Sequence, residues 1–237
     1  MTHLRIPVFL LSIPLLLSIS NAQETGNVAR LVVWQAKPGM TRDLEEGYKR
    51  HLDWHRRNND SWVWRGWTIV SGEHDGYFVD GTFFHTWTDL DSPVSPAGDA
   101  ADNEMNVFPY GDARAAIYEA VSTLSNLRAV QMDSRLLTFC HFQVRPGGAE
   151  EFEARIAREL NDSPLPHILL RPAIGAGEYI LLLPAQKISE LALQTELTRK
   201  LLRASSKSEN RDPLVEHFRT ELAVYRSDLS YIPGKAK

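Results

Sequence analysis

Apolar and polar positions along the chain fall into one order that occurs twice. Residues 29–39 read ARLVVWQAKPG and residues 137–147 read LTFCHFQVRPG, so an apolar, strand-like run enters a basic-Pro-Gly turn at two places 108 residues apart. A helix is predicted after each turn. In the first copy Thr41 stands as N-cap, with Asp43, Glu45 and Glu46 early and Lys49, Arg50, Arg56 and Arg57 late, the order a helix macrodipole favours. In the second, Glu150, Glu151 and Glu153 precede Arg155 and Arg158, and Asn-Asp-Ser closes both helices, at 59–61 and 161–163. Hairpins follow, 62–70 with 77–87 and 168–174 with 179–183, around Asp75-Gly76 and Gly175-Ala-Gly177, which supply the positive-φ positions tight turns need. A further helix is predicted in each copy at 112–124 and 213–225, followed by short extended segments at 129–133 and 227–232.

Between hairpin and final helix the copies diverge. The second has an additional helical pattern at 189–203, whereas the first has 91–111, rich in Pro, Ala, Asp and Gly. That stretch reads as a long loop, and its Met105, Val107, Phe108 and Tyr110 suggest that it packs over something. The order strand, helix, strand, strand, helix, strand is the ferredoxin-like βαββαβ arrangement. The fold class is therefore α+β, with an N-terminal unit over 23–134 and a C-terminal unit over 135–237. Each sheet has one face without helices, and pairing the two bare faces yields a barrel-like core. On this topology and the repeated basic-Pro-Gly turn, the chain resembles the dimeric α+β-barrel superfamily. The resemblance implies a fold shared with small cofactor-poor monooxygenases, haem-degrading enzymes and stress-response barrels. No stretch aligns residue by residue with the Asn, Trp and His positions of the antibiotic-biosynthesis monooxygenases, so it carries no catalytic residues over.

Composition narrows the setting. The 237 residues include one cysteine, Cys140, which excludes an internal disulfide or a multi-cysteine metal centre. A formal charge of −4 and no Lys/Arg cluster argue against nucleic acid or an anionic membrane as partner. Residues 1–22 read as a signal peptide, with Arg5, an apolar stretch from Ile6 to Ile19 and Ser20-Asn21-Ala22 at the cut. The mature protein is then secreted or periplasmic, with no membrane span after cleavage. Homo-oligomerisation is left open.

All six tryptophans, 34, 54, 62, 64, 67 and 87, lie in the first copy, together with His51, His55, His74 and His85. Leu44, Tyr48, His51, Leu52 and His55 form one helical stripe facing the sheet. Strand alternation puts Tyr77, Val79, Phe83, His85 and Trp87 on one face and Phe78, Asp80, Thr82, Phe84 and Thr86 on the other. The candidate catalytic residues are His51, His55 and His85, and the candidate ligand-binding residues Tyr48, Trp62, Trp64, Trp67 and Trp87. No metal set is assigned. The spacing of His51 and His55 suits an ion, with His85, Glu73 or Asp80 as a third donor, but a structural reading satisfies the same rings by hydrogen bonds to backbone, Asp53 or Glu73. Asp99, Asp102 and Glu104 read as solvated loop. The cofactor is unknown, and an indole wall suits a haem-like macrocycle, a quinone or a sugar ring equally. The expectation is an exported protein with a His/Trp-lined small-molecule pocket in the N-terminal unit, either a monooxygenase-like or haem-linked oxidoreductase. The alternative is a non-catalytic ligand-binding or assembly module whose rings are core packing, so whether it is an enzyme stays open.

Overall fold

The computed structural model describes residues 26–175, 177–206 and 213–234; the leader expected at 1–22 lies outside them. Strand β1 (Val28–Ala36) is the axis of the N-terminal half, with Val28, Leu31, Val32 and Trp34 buried over its two faces. It bonds antiparallel to β3 (Phe78–His85) on one side and β4 (Gly111–Ala120) on the other, and β2 (Arg65–Ser71) adds to β3. The C-terminal half repeats the pattern. There β5 (Leu136–Val144) lies between β7 (Tyr179–Ala185) and β8 (Val215–Tyr225), with β6 (Ile168–Ile174) on β7. Pairing of β2 with β8 and of β4 with β6 joins the halves into a closed eight-stranded barrel.

Alternation sends Leu31, Trp67, Phe83, Tyr118, Phe139, Ile168, Ile180 and Leu182 into the barrel core. The opposite faces carry the helices. Over the C-terminal half, α3 (Ala149–Asn161) and α4 (Leu191–Ser206) press Phe152, Ile156, Leu160, Leu197 and Leu201 onto Phe142, Leu169 and Leu181. Over the N-terminal half, α1 (Thr41–Arg57) and α2 (Pro96–Asn106) enclose Trp34, Leu44, Tyr48, Leu52 and Phe78. A Cβ on Gly47 of α1 would strike the Asn106 carbonyl oxygen, so glycine there lets α2 lie close. Among the described residues no helix is long and apolar enough to cross a membrane.

The α+β class and the ferredoxin-like order hold, while several element positions differ from expectation. The stretch 91–111 contains α2, and 112–124 and 213–225 are largely the strands β4 and β8 rather than helices. The Ala-rich GDARAAIYEA has helical propensity, but barrel closure supplies ladder partners on both its flanks, and that tertiary gain overrides local preference. The pattern at 189–203 is α4, the counterpart of α2. Segments 129–133 and 227–232 are not regular strands; one 3₁₀ turn spans Ser227–Leu229, and Tyr231 makes a single bridge to Trp64. Thr41 is the first helical residue, with Met40 in the cap position and no side-chain cap.

Candidate active site

The inward stripe of α1 is buried as its periodicity requires: Leu44, Gly47, Tyr48, His51, Leu52 and His55 lie beneath it, with Gly47 and His51 on the side toward α2. His51 and His55 lie one turn apart, with their Nε2 atoms 3.1 Å from each other. Each Nδ1 is held by a carboxylate. Asp60, placed after the left-handed turn at Asn59, sits 2.8 Å from His55 Nδ1, and Asp102 of α2 sits 2.9 Å from His51 Nδ1. Asp60 also accepts from the Trp62 backbone N–H and from Trp64 Nε1, while Tyr231 donates to its backbone carbonyl. Burial alone would raise the Asp60 pKa, but these hydrogen bonds outweigh it and hold the carboxyl below its ordinary value. His51 moves down chiefly because burial disfavours its charged form, with His55 adding repulsion.

Beside the pair lies a cavity with about 230 Å³ of water-accessible space between the α1/α2 layer and β1, β3 and β4. Its rings come from Trp34, Tyr48, Trp64 and Phe108, and its charges from Arg30, Asp80 and Asp99. Asp80 is 3 % exposed and accepts a 2.5 Å hydrogen bond from Trp34 Nε1. Desolvation raises its pKa to about 6, against the pull of Arg30 and Trp34. Tyr48 is pushed well above the usual phenol range, first by burial and then by Asp80.

The structure therefore brings together Tyr48, His51, His55 and Trp64, but not the remaining candidates. Trp67 is fully buried in the barrel core on the other side of the sheet, against Phe83 and Phe139. Trp87 is 41 % exposed and donates to Glu119. His85 leaves the Phe83 face because a β-bulge at Phe84, with φ +66°, breaks the alternation and turns the ring toward Thr82 and Trp62. It stands two indoles, Trp62 and Trp64, from His55. The Nδ1 partners of the paired imidazoles are Asp60 and Asp102. Asp99 and Asp102 belong to α2 rather than to a solvated loop. Asp60 lay in view as the Asp of Asn-Asp-Ser, whereas no local signal ties Asp102 to His51 across 51 residues.

A second cavity, about 350 Å³, opens inside one end of the barrel. Here Arg219 clasps Glu178 through two nitrogens at 2.6 and 2.7 Å, His141 bridges Glu178 and Glu221, and His74 contacts Glu221 at 2.6 Å. Against the desolvation that would raise them, hydrogen bonds and charge hold both Glu178 and Glu221 down at about 2, and Glu178 and Glu221 raise His141 despite its burial. Opposite charges answer one another there. At the α1/α2 site two imidazole Nε2 atoms and the half-exposed Asp99 carboxylate converge on one point beside a cavity, which marks it as the better functional candidate.

A haem macrocycle does not fit this site. Its space is below the roughly 300–1,000 Å³ of ligand pockets for drug-sized molecules, and the two Nε2 atoms aim at each other across 3.1 Å. The haem-linked expectation is therefore not carried to this site.

No known protein-family profile matches the sequence, and no curated protein matches it. Solved structures do. A candidate monooxygenase from Lactobacillus acidophilus NCFM superposes with a TM-score of 0.59 at 8% identity, covering 88% of this chain and 97% of that one. An anthrone oxidase-like protein gives 0.57 at 13% identity over 90% and 98%. A chlorite dismutase variant from Candidatus Nitrospira defluvii, solved in complex with cyanide, gives 0.57 at 10% over 87% and 93%. What is shared at such identities is the fold across nearly the whole chain.

Proposed function

Starting from the dimeric α+β-barrel fold carried here in one tandem chain, we propose that the protein is a monooxygenase-like oxidoreductase acting on a small aromatic molecule. The observation that carries this reading is the cavity under α1 and α2, ringed by Trp34, Tyr48, Trp64 and Phe108 yet polar at the His51/His55 end. Aromatic walls position a flat ligand by area and ring geometry, and a few polar groups orient it. Asp80 faces the same space with a pKa near 6, suited to taking a proton from a hydroxyl group at neutral pH. Arg30 is near enough to act on the Asp80 charge and would steady the anion formed. A deprotonated hydroxyaromatic is electron-rich, the state in which an organic ligand reacts most readily with oxygen. The names of two structural relatives, a candidate monooxygenase and an anthrone oxidase-like protein, support the same class.

The alternative of a non-catalytic binding module draws on the pairing of each imidazole Nδ1 with a carboxylate, which gives the rings a structural role. Oxygen uptake separates the two. Hydroxyaromatic compounds titrated into the full-length protein should quench tryptophan fluorescence and drive oxygen consumption, and Trp34→Leu should weaken binding at least tenfold. Binding without oxygen uptake would leave the module reading, and no binding across the series would end both. We also propose that the protein works outside the cytoplasm; N-terminal sequencing of protein from the exported fraction should begin at Gln23.

A further inference from the structure

We infer that His51, His55 and Asp99 form a binding site for one divalent transition-metal ion of the zinc or ferrous type, at the polar end of the cavity. The inference deepens the function proposed above and rests on it only for what the ion would do; whether an ion binds is decided independently. His51 Nε2, His55 Nε2 and Asp99 Oδ1 form a triangle with sides of 3.1, 3.4 and 3.5 Å. A point equidistant from such corners lies about 1.9 Å from each, close to the roughly 2.0–2.2 Å of metal bonds to imidazole and carboxylate. No side chain has to move far.

The outer contacts favour an ion as well. With Nδ1–H donated to Asp60 and to Asp102, both rings present bare Nε2 lone pairs to the common point. Metal-ligating histidines are typically fixed in this way, and the carboxylate behind the ring raises its donor strength. Without a cation the two lone pairs and a carboxylate oxygen face one another. The Asn103 amide lies 3.1 Å from His51 Nε2 and is shared with the Asp99 carbonyl oxygen. Two histidines and one carboxylate with open positions match sites for ferrous iron, and with a bound water also zinc. The ligands come from facing positions on α1 and from the first turn of α2, so the site exists only when α2 is seated on α1. His51, His55 and Asp99 line the same cavity as Asp80 and Trp34, so an ion held by them would adjoin that space.

The test uses the full-length protein, stripped with a chelator and equilibrated with Co²⁺, Zn²⁺ or, without oxygen, Fe²⁺ alone. One equivalent of metal should bind, and cobalt should show the visible d–d bands of an N/O site. Asp99→Asn, at a half-exposed position where circular dichroism should show the parent fold, should lower affinity at least tenfold, and His55→Asn should remove the cobalt bands. His74→Gln, in the barrel-end cluster, should bind as the parent does. Substoichiometric metal at tens of micromolar free ion, or equal binding by parent and Asp99→Asn, would overturn the site; the latter decides even if His55→Asn fails to fold. Metal binding without hydroxyaromatic binding would keep this site and end the oxidoreductase reading. Hydroxyaromatic binding with oxygen uptake but without metal would do the reverse.

Discussion

Asp80 is a carboxyl group that the fold holds at a cost. An acid whose pKa rises from about 4 in the unfolded chain to about 6 when folded loses stability as pH climbs through that interval, and has lost it fully at neutral pH. Replacing it by asparagine keeps an oxygen for Trp34 Nε1 and removes the buried charge. We expect Asp80→Asn to be more stable than the parent by on the order of 2 kcal/mol at pH 7 and equal to it near pH 3, in urea unfolding. The same variant should lose oxygen uptake while still binding the hydroxyaromatic; an unchanged rate would remove Asp80 from the chemistry. Periodicity made the His51/His55 stripe readable, because burial of a helix face follows from spacing alone. It did not reveal the Asp99 and Asp102 carboxylates, which meet the rings only through tertiary packing across some fifty residues. His85 escaped for a local reason, since one bulged residue reverses every side-chain direction after it.

At the scale of elements, the seat of α2 on α1 is the feature on which the site depends. A glycine inside a helix ordinarily costs roughly 0.5–1 kcal/mol relative to alanine. At Gly47 the sign should reverse, because the added methyl meets the Asn106 carbonyl oxygen. Gly47→Ala is expected to lower unfolding stability by at least about 1 kcal/mol and to weaken metal and ligand binding together, with the barrel's far-ultraviolet circular dichroism unchanged. A stabilised variant would mean that the two helices do not touch there. The hairpins and first helices of both units were visible in turn chemistry and charge order. The last strands were not, because β4 and β8 carry helix-forming Ala, Glu and Arg and draw their order from ladders on both flanks.

For the whole molecule, the two halves share a chain path but not a chemistry. The C-terminal half packs its helices mainly on hydrocarbon, with neutral polar contacts such as Gln194 to Thr138, while the N-terminal half keeps imidazoles and carboxylates under α1. Between them, the Glu178/Glu221/His141/Arg219 cluster ties β5 and β8 to the loop before β7. With folded pKa values of about 2, both glutamates contribute stability that is fully present above about pH 4.5 and lost as pH falls toward 2. His141 works in the opposite sense, since its raised pKa gives stability complete below about pH 6.5 and fading as pH rises through the folded value. Glu221→Gln should therefore be markedly less stable than the parent at pH 6, with the two unfolding curves converging near pH 2. A difference that persists at pH 2 would assign the loss to packing instead.

Because β2 is stitched to β8 and β4 to β6, the covalent link over 121–135 is not what holds the two halves in one body. A nick there would leave two fragments, each bearing a pair of bare strand flanks whose registers only the other can satisfy. Severed, the molecule keeps a template for its own reassembly.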